Sequence, residues 1–172
     1  DAWGRPLKWL SLVDEFTREC LLLEVARSIK AVDAVAWLSE VMLIRGVPGH
    51  LRSDNGPEFI ASAMREFLSA AGVETLYIEP GSPWENGYAE SFHSRLCDEL
   101  LNAEDFEDVL DAEALGAGWK NEYNHHRPHS SLGYQTPAAY AATLAGLPLG
   151  APPLLPDHPA TSESTLTLTA AG

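Results

Sequence analysis

His50-Leu51-Arg52-Ser53-Asp54-Asn55-Gly56-Pro57 is the stretch from which the fold of this chain is most readily predicted. It begins with a short apolar-polar segment that predicts a strand leading into Asp54. Asn55 and Gly56 favour a turn, and Pro57 suits the first turn of a following helix. Because open α/β sheets usually place their sites at the carboxyl ends of strands, Asp54 is a candidate functional residue.

Three more strands are predicted around this one. Residues 7–14 alternate in polarity, and residues 20–25 form a continuous apolar run. The short linker between them favours an antiparallel pair. A further strand is predicted for residues 74–78.

Helices are predicted between and after the strands from apolar spacing and end signals. Ser82 and Glu85 form a capping box with Pro83 between them, which marks the start of one helix. The predicted helices cover residues 31–45, 57–71, 82–102, 106–123 and 137–144.

This order of elements predicts a mixed α/β sheet with helices on both faces. We expect residues 1–145 to form one domain. Residues 146–172 contain five of the chain's 12 prolines and end in a Ser/Thr/Ala-rich segment. That composition predicts a flexible tail.

Length and composition exclude several classes of protein. The chain has 172 residues, of which 45% are hydrophobic, and this is enough for one domain with a sizeable core. It has no apolar run of membrane-spanning length and no N-terminal signal pattern. Cys20 and Cys97 lack the spacing of metal ligands, so a reduced, cytoplasmic setting is expected.

The net charge of −14 is unfavourable for binding nucleic acid. Eight acids and no Lys or Arg lie between Asp98 and Glu113, and this run supplies more than half of the excess. It is typical of a solvated helical face. If the chain handles DNA, we expect much of the affinity to come from a segment outside it.

Glu90 is the second candidate acid, and thirty-five residues separate it from Asp54. Carboxylates on rigid elements can hold the two divalent ions of a phosphoryl-transfer site, which lie about 3.5–4 Å apart. On the predicted helix, Glu90 shares a face with His93, Ser94 and Cys97. Each acid alone also has a structural explanation, as a turn residue or as a solvated helix residue.

Four further motifs occur in a fixed order along the chain. They are Leu12 to Cys20, Gly81-Ser82-Pro83-Trp84-Glu85-Asn86-Gly87, Ala89-Glu90-Ser91-Phe92, and Tyr123 to Pro137. Together with Ser53-Asp54-Asn55-Gly56, these motifs resemble the integrase catalytic core (DDE type) of insertion-sequence-three-family transposases, which are related to retroviral integrases. The resemblance covers about residues 4–145.

The resemblance implies a ribonuclease-H-like fold and metal-dependent cleavage and transfer of DNA strands. Asp54 and Glu90 would be the second and third catalytic acids and would bind Mg²⁺ or Mn²⁺, with two ions expected for a full triad. It also implies element-end and target DNA as partners, a homo-oligomer on DNA, and a cytoplasmic, nucleoid-associated location.

The first acid of the family lies on a strand before residues 7–14. By the family's spacing it would fall just before residue 1, so the sheet would lack most of its first strand. Asp1 lies too close to Gly4 to replace it. Asp14 is better explained as a strand-end acid that meets the turn at Thr17.

We predict DNA contacts for Asn55, Trp84, Tyr88 and Arg127. Trp84 and Tyr88 could stack on a base, although such aromatics more often dock a helix on a sheet. The segment from Tyr123 to Pro137 has two possible roles. In the functional one, its side chains Asn124, Arg127 and His129 pack near the active site or touch DNA. In the structural one, the segment is a loop that ends a helix and is held in shape by Pro128, Gly133 and Pro137.

Cys97 departs from the family pattern, which has Lys or Arg at this position on the face of the catalytic Glu. Arg95 points elsewhere around the helix and is not an obvious replacement. This loss and the missing first acid favour a second hypothesis, a truncated remnant that binds DNA or multimerises without cutting. A third hypothesis, a general nuclease of the same fold, is disfavoured by the Tyr123–Pro137 motif.

Overall fold

The computed structural model describes residues 1, 4–53, 61–77, 87–145 and 164–171. Its strands are β1 Lys8–Asp14, β2 Cys20–Ala26, β3 His50–Ser53, β4 Glu74–Tyr77 and β5 Thr165–Ala171. Its α-helices are α1 Ala31–Arg45, α2 Ser62–Ala71, α3 Gly87–Leu96, α4 Val109–His125 and α5 Pro137–Ala145. A π-helical turn, Cys97–Leu101, continues α3, and a short 3₁₀ helix covers Ser130–Leu132.

These bounds confirm the four predicted strands and, within the described residues, the five predicted helices. Local end signals explain several of them. Gly72 closes α2 with a φ of 74°, a left-handed conformation that glycine adopts without strain. The Asp108 side chain caps α4 by accepting a hydrogen bond from the Asp111 backbone N–H at 3.0 Å.

The five strands form one mixed sheet in the order β2-β1-β5-β3-β4. β1 is antiparallel to β2, as the short linker between them predicted, and it is also antiparallel to β5. β3 is parallel to β4 and to β5. The last strand of the chain therefore lies at the centre of the sheet and joins its antiparallel half to its parallel half.

β5 corrects the prediction of a flexible tail for residues 165–171. Leu166 and Leu168 are buried against the core, and Thr167 is also buried. The segment alternates Thr and Leu, which suits a central strand, but its composition and the prolines before it outweighed that short pattern. In the described residues no strand precedes β1, and β5 occupies the position between β1 and β3.

Two apolar layers cover the sheet. On one face, Leu12 and Leu168 pack with residues of α1 and α2 such as Leu38 and Met64. On the other face, strand residues pack with the second group of helices. That second cluster includes Trp9, Val13, Leu23, Phe92, Leu96, Leu100, Ala112 and Tyr123. Both faces are thus covered by helices, which the order of elements predicted.

Helix α4 approaches the sheet closely at Gly116. A Cβ built there would lie 2.7 Å from Cζ3 of Trp9. Gly116 therefore has a packing role, although glycine lowers the helix propensity of this segment. No helix in the described part of the chain is long and apolar enough to cross a membrane.

Candidate active site

The strand that leads to Asp54 is in the predicted place. β3 ends at Ser53, which pairs with Tyr77 of β4 and with Leu168 of β5. Ser53 is buried, so the end of β3 lies inside the sheet and not at its edge. Asp54 itself lies outside the described residues, as do Asn55 and Trp84, and their predicted roles stay predictions.

Glu90 lies in the first half of α3, and its side chain is exposed. Phe92 and Leu96 of the same helix are buried in the second apolar cluster, so they dock α3 on the sheet and leave Glu90 facing outward. Tyr88 belongs to this helix, but its side chain is outside what the structure describes. Glu90 is therefore accessible from solvent, and its catalytic role stays a prediction.

His93 of α3 contacts Cys97, the first residue of the π-helical turn, as their i and i+4 spacing predicted. The Cys97 Sγ lies 3.5 Å from the His93 Nε2. Both side chains are half-buried. The position where the family has a basic residue thus holds a thiol in contact with an imidazole.

Strand β5, which lies beside β3, supplies no acid that could replace the first acid of the family. β5 lies between β1 and β3, and none of the residues from Ser164 to Ala171 is acidic. Asp1 is committed elsewhere, because its carboxylate pairs with Arg5 at 3.3 Å and with Arg27 at 2.5 Å. No group of three His, Cys, Asp or Glu side chains in the described ranges could hold a metal ion.

Asp14 has the structural role that the sequence predicted. Its Oδ1 accepts hydrogen bonds from the backbone N–H groups of Phe16 and Thr17 at 2.8 and 3.3 Å. The carboxylate therefore shapes the turn between β1 and β2. The same turn holds Arg18 in a left-handed backbone conformation, with a φ of 64°, and its side chain is buried.

Two roles were considered for Asn124, packing within the protein and contact with DNA, and its hydrogen bonds support packing. Its Oδ1 accepts from the Cys20 backbone N–H, and its Nδ2 donates to the Cys20 carbonyl, both at 2.9 Å. Helix α4 is thereby fixed to the start of β2. Burial raises the pKa of the Cys20 thiol to about 12.

Arg127 makes its described contacts within the protein. Its Nη2 donates to the Glu99 Oε1 at 2.5 Å, and its guanidinium lies 6.0 Å from the centre of the Tyr123 ring. Arg95 lies 4.0 Å from the same Glu99 oxygen. Sequence reasoning missed Glu99, because it belongs to the acidic run that otherwise faces solvent.

Arg18, Arg95 and Arg127 line one concavity together with His129, and we call this the arginine pocket. Its volume is about 330 Å³. Val13, Phe92 and Tyr123 also line it, and all three are buried in the protein. Its other lining residues are Ser91, Pro128, Ser130, Ser131 and Tyr134.

The pocket is electropositive. Burial lowers the pKa of His129, and the charges of Arg127, Arg95 and Arg18 lower it further. Burial is also the main reason that the pKa of Tyr123 is raised. His129 packs edge-on against the Tyr123 ring at 5.1 Å, which fixes the imidazole within the pocket.

Known proteins with similar sequences come from bacterial insertion elements. An uncharacterised 39.2 kDa protein of IS476 from Xanthomonas euvesicatoria is 41% identical over 141 residues, covering 82% of this chain and 41% of that protein. An uncharacterised 31.7 kDa protein of IS407 from Burkholderia multivorans is 38% identical over 139 residues, covering 81% and 50%. The transposase InsD of IS2 from Escherichia coli is 34% identical over 88 residues, covering 51% and 29%. The chain spans half or less of the length of these relatives.

Solved structures share the fold. The catalytic core domain of BIV integrase superposes with a TM-score of 0.61 at 24% identity, covering 79% of this chain and 87% of that chain. The HTLV-2 integrase catalytic core domain in complex with magnesium gives 0.57 at 15% identity, covering 77% and 84%. The fold is therefore the ribonuclease-H-like fold of integrase catalytic cores.

Two family profiles, both described as the integrase core domain, match residues 1–83 and 71–137. Together they span the sheet strands β1 to β4 and the helices up to the start of α5. The chain belongs to the integrase core domain family and is related to insertion-sequence transposases.

Proposed function

We propose that this chain is the catalytic core of an insertion-sequence transposase that cuts and joins DNA strands at the ends of its element. The observation that carries the proposal is that Glu90 lies on a helix docked on the same sheet in which β3 leads toward Asp54. β3 ends one residue before Asp54, and α3 presents Glu90 to solvent while its apolar side docks on the same sheet.

The two acids would act as metal ligands in this reaction. A phosphoryl-transfer site requires carboxylates held by rigid elements, and a strand end and a docked helix can provide such support. Asp54 and Glu90 would hold Mg²⁺ or Mn²⁺, which activates the attacking oxygen and stabilises the leaving oxygen when bound. One structural neighbour is a magnesium complex of an integrase core, which supports this choice of cofactor.

The partners of the proposed reaction are element-end DNA and target DNA. A second similar structure is an intasome, with a TM-score of 0.60 at 16% identity, and the HTLV-2 core is a trimeric form. We therefore propose that the chain works as a homo-oligomer on DNA. The net charge of −14 suits a core whose DNA affinity comes partly from other segments or subunits.

A nicking assay tests the activity without knowledge of the element ends. Supercoiled plasmid is incubated with the chain in Mg²⁺ or Mn²⁺, and the nicked product is measured with and without chelator. Glu90→Gln should reduce metal-dependent nicking to background, because it removes a ligand without changing the size of the side chain. Glu66→Gln is the matched control, since Glu66 is an exposed acid on α2. Equal nicking by both variants would refute the role of Glu90.

A second candidate function is a core that binds DNA or multimerises without cutting. It is favoured by the absence of acids from β5, the strand that lies beside β3. An unmodified chain that binds DNA but never nicks it, at any concentration of metal ion, would support this candidate over the first.

Thr169→Asp offers a direct way to separate the two candidates. Thr169 follows Leu168, the partner of Ser53, just as Asp54 follows Ser53. The change replaces a half-buried side chain whose Oγ1 lies 2.8 Å from the Ser11 Oγ. If the first acid of the triad is the only carboxylate that the site lacks, we expect metal-dependent nicking to appear in Thr169→Asp and not in Thr169→Asn.

A further inference from the structure

We propose that the arginine pocket binds a backbone phosphate of the DNA strand beside the reacting phosphodiester. This inference rests on the proposed function, because it assigns a second contact to the same substrate. The proposal adds Arg18 and Arg95 to the predicted DNA contacts. It also names a backbone phosphate as the group that Arg127 would bind.

Three separate segments of the chain build the pocket. The turn between β1 and β2 contributes Arg18, helix α3 contributes Ser91 and Arg95, and the segment after α4 contributes Arg127 and His129. These residues are far apart in sequence, so only the packing of α3 and α4 on the sheet brings them together. The buried aromatic floor holds the pocket in shape.

The charge of the pocket contrasts with that of the chain. The chain has a net charge of −14, yet the pocket lining contains three arginines and no carboxylate among the described residues. Glu99, next to the pocket, pairs with Arg127 and lies 4.0 Å from Arg95. The Arg95 side chain is 53% exposed, so it can accept an anion from solvent, and an arginine fork matches the oxygens of a phosphate.

Two polar atoms of pocket residues have no hydrogen-bond partner among the described residues. The Arg127 Nη1 and the His129 Nε2 are both buried and unpaired in the described part of the chain. Buried polar groups are normally paired, so a ligand that reached these atoms would remove an energetic cost. The hydroxyls of Ser91 and Ser130 line the same pocket and can donate to a phosphate oxygen.

The position of the pocket indicates DNA as the source of the phosphate. Ser91, which lines the pocket, is the residue after Glu90, so one helix serves both sites. Tyr134 also lines the pocket and is 76% exposed, which leaves its ring free to stack on a base or sugar of the same strand. The volume of about 330 Å³ is at the lower end of the range for ligand pockets and admits a phosphate with its sugar.

Arg95→Gln tests the pocket with little structural risk. The Arg95 side chain is 53% exposed, and the change leaves the Arg127–Glu99 pair intact. Arg65→Gln is the matched control, because Arg65 is an exposed arginine on α2 outside the pocket. Binding of a short fluorescent DNA duplex to the 172-residue chain is measured by anisotropy over a series of salt concentrations, and circular dichroism verifies folding.

We expect Arg95→Gln to weaken binding and to lower the slope of log affinity against log salt by about one unit, the share of one phosphate contact. Arg65→Gln should leave the slope as in the unmodified chain. Equal slopes for the two variants would overturn the proposal, as would a chain that binds no DNA at low salt.

Inorganic phosphate provides a second probe that needs no DNA. Its binding should raise the pKa of His129 toward the ordinary histidine value, because an anion would offset the nearby arginines. The imidazole resonances of His129 should therefore shift in NMR spectra, while those of the exposed His126 should not. A shift at His129 combined with equal salt slopes would show a site for free anions only and would overturn the DNA contact.

Phosphate binding by the arginine pocket and strand cleavage by the chain can be refuted separately. Nicking that depends on Glu90, combined with equal salt slopes for Arg95→Gln and Arg65→Gln, would overturn the pocket alone. A lowered slope in Arg95→Gln without any metal-dependent nicking would overturn the activity of this chain and leave the DNA contact standing.

Discussion

Leu168→Ala tests whether the segment 165–171 belongs to the centre of the sheet. Leu168 is fully buried, pairs with Leu12 of β1 on one side and with Ser53 of β3 on the other, and contacts the core formed with α1 and α2. Removing its isobutyl group leaves a cavity that the helices on this face can fill only in part. If the segment were a flexible tail, the same change would remove no contact at all.

The expected cost follows from the burial of this side chain. Leu→Ala changes in protein cores lower the free energy of unfolding by about 2–5 kcal/mol, and we expect about 3 kcal/mol at this position. For a chain of this size, roughly 2–4 °C of melting temperature is lost per kcal/mol, so Tm should fall by roughly 6–12 °C.

Urea denaturation followed by circular dichroism measures this loss, with thermal melting as a second assay. Leu110→Ala is the control, because Leu110 is 72% exposed on α4 and its removal should change stability by no more than about 0.5 kcal/mol. If Leu168→Ala is as stable as Leu110→Ala, the central position of β5 is wrong.

Three further predictions concern packing, thiol chemistry and pH. Gly116→Ala should lower Tm in thermal melting, because the new Cβ would lie 2.7 Å from the Trp9 ring, and an unchanged Tm would contradict this packing. Burial raises the pKa of Cys20 to about 12, so a thiol reagent at pH 8 should modify Cys97 alone in the native chain. In urea the reagent should modify both cysteines. Rapid reaction of Cys20 in the native chain would contradict its burial. The folded-state pKa of His129 is lowered, so the unfolded state binds more protons and stability should fall as pH drops below the ordinary histidine pKa of about 6.5. His129→Gln should reduce that loss in urea titrations at pH 7.5 and 5.5, and an identical pH dependence in the variant would contradict it.

Local sequence patterns predicted most of the secondary structure. The apolar spacing of α1 and the glycine after α2 act within a few residues, so their bounds follow from the chain without knowledge of its neighbours. The turn role of Asp14 is of the same kind, because its carboxylate binds backbone N–H groups two and three residues away.

Long-range contacts account for what sequence reasoning missed. The strand pattern of β5 is only seven residues long, and its partners lie more than 100 positions earlier in the chain. Glu99 was assigned to a solvated face with its acidic neighbours, but the fold places it against Arg127, 28 positions later. The double hydrogen bond between Asn124 and Cys20 likewise spans 104 positions. No local pattern encodes contacts of this kind, since they depend on how the helices pack on the sheet.

The sequence by itself determined the family of this protein, the candidate acids Asp54 and Glu90 and most of the elements that carry them. These conclusions depend on motifs and periodicities that are complete within short segments. Only the tertiary structure decided that the last strand lies between β1 and β3 and carries no acid, and that three distant arginines meet in one pocket. The physical reason is that strand pairing and pocket formation are made by residues far apart in sequence, whose proximity is set by the burial of two apolar layers against one sheet.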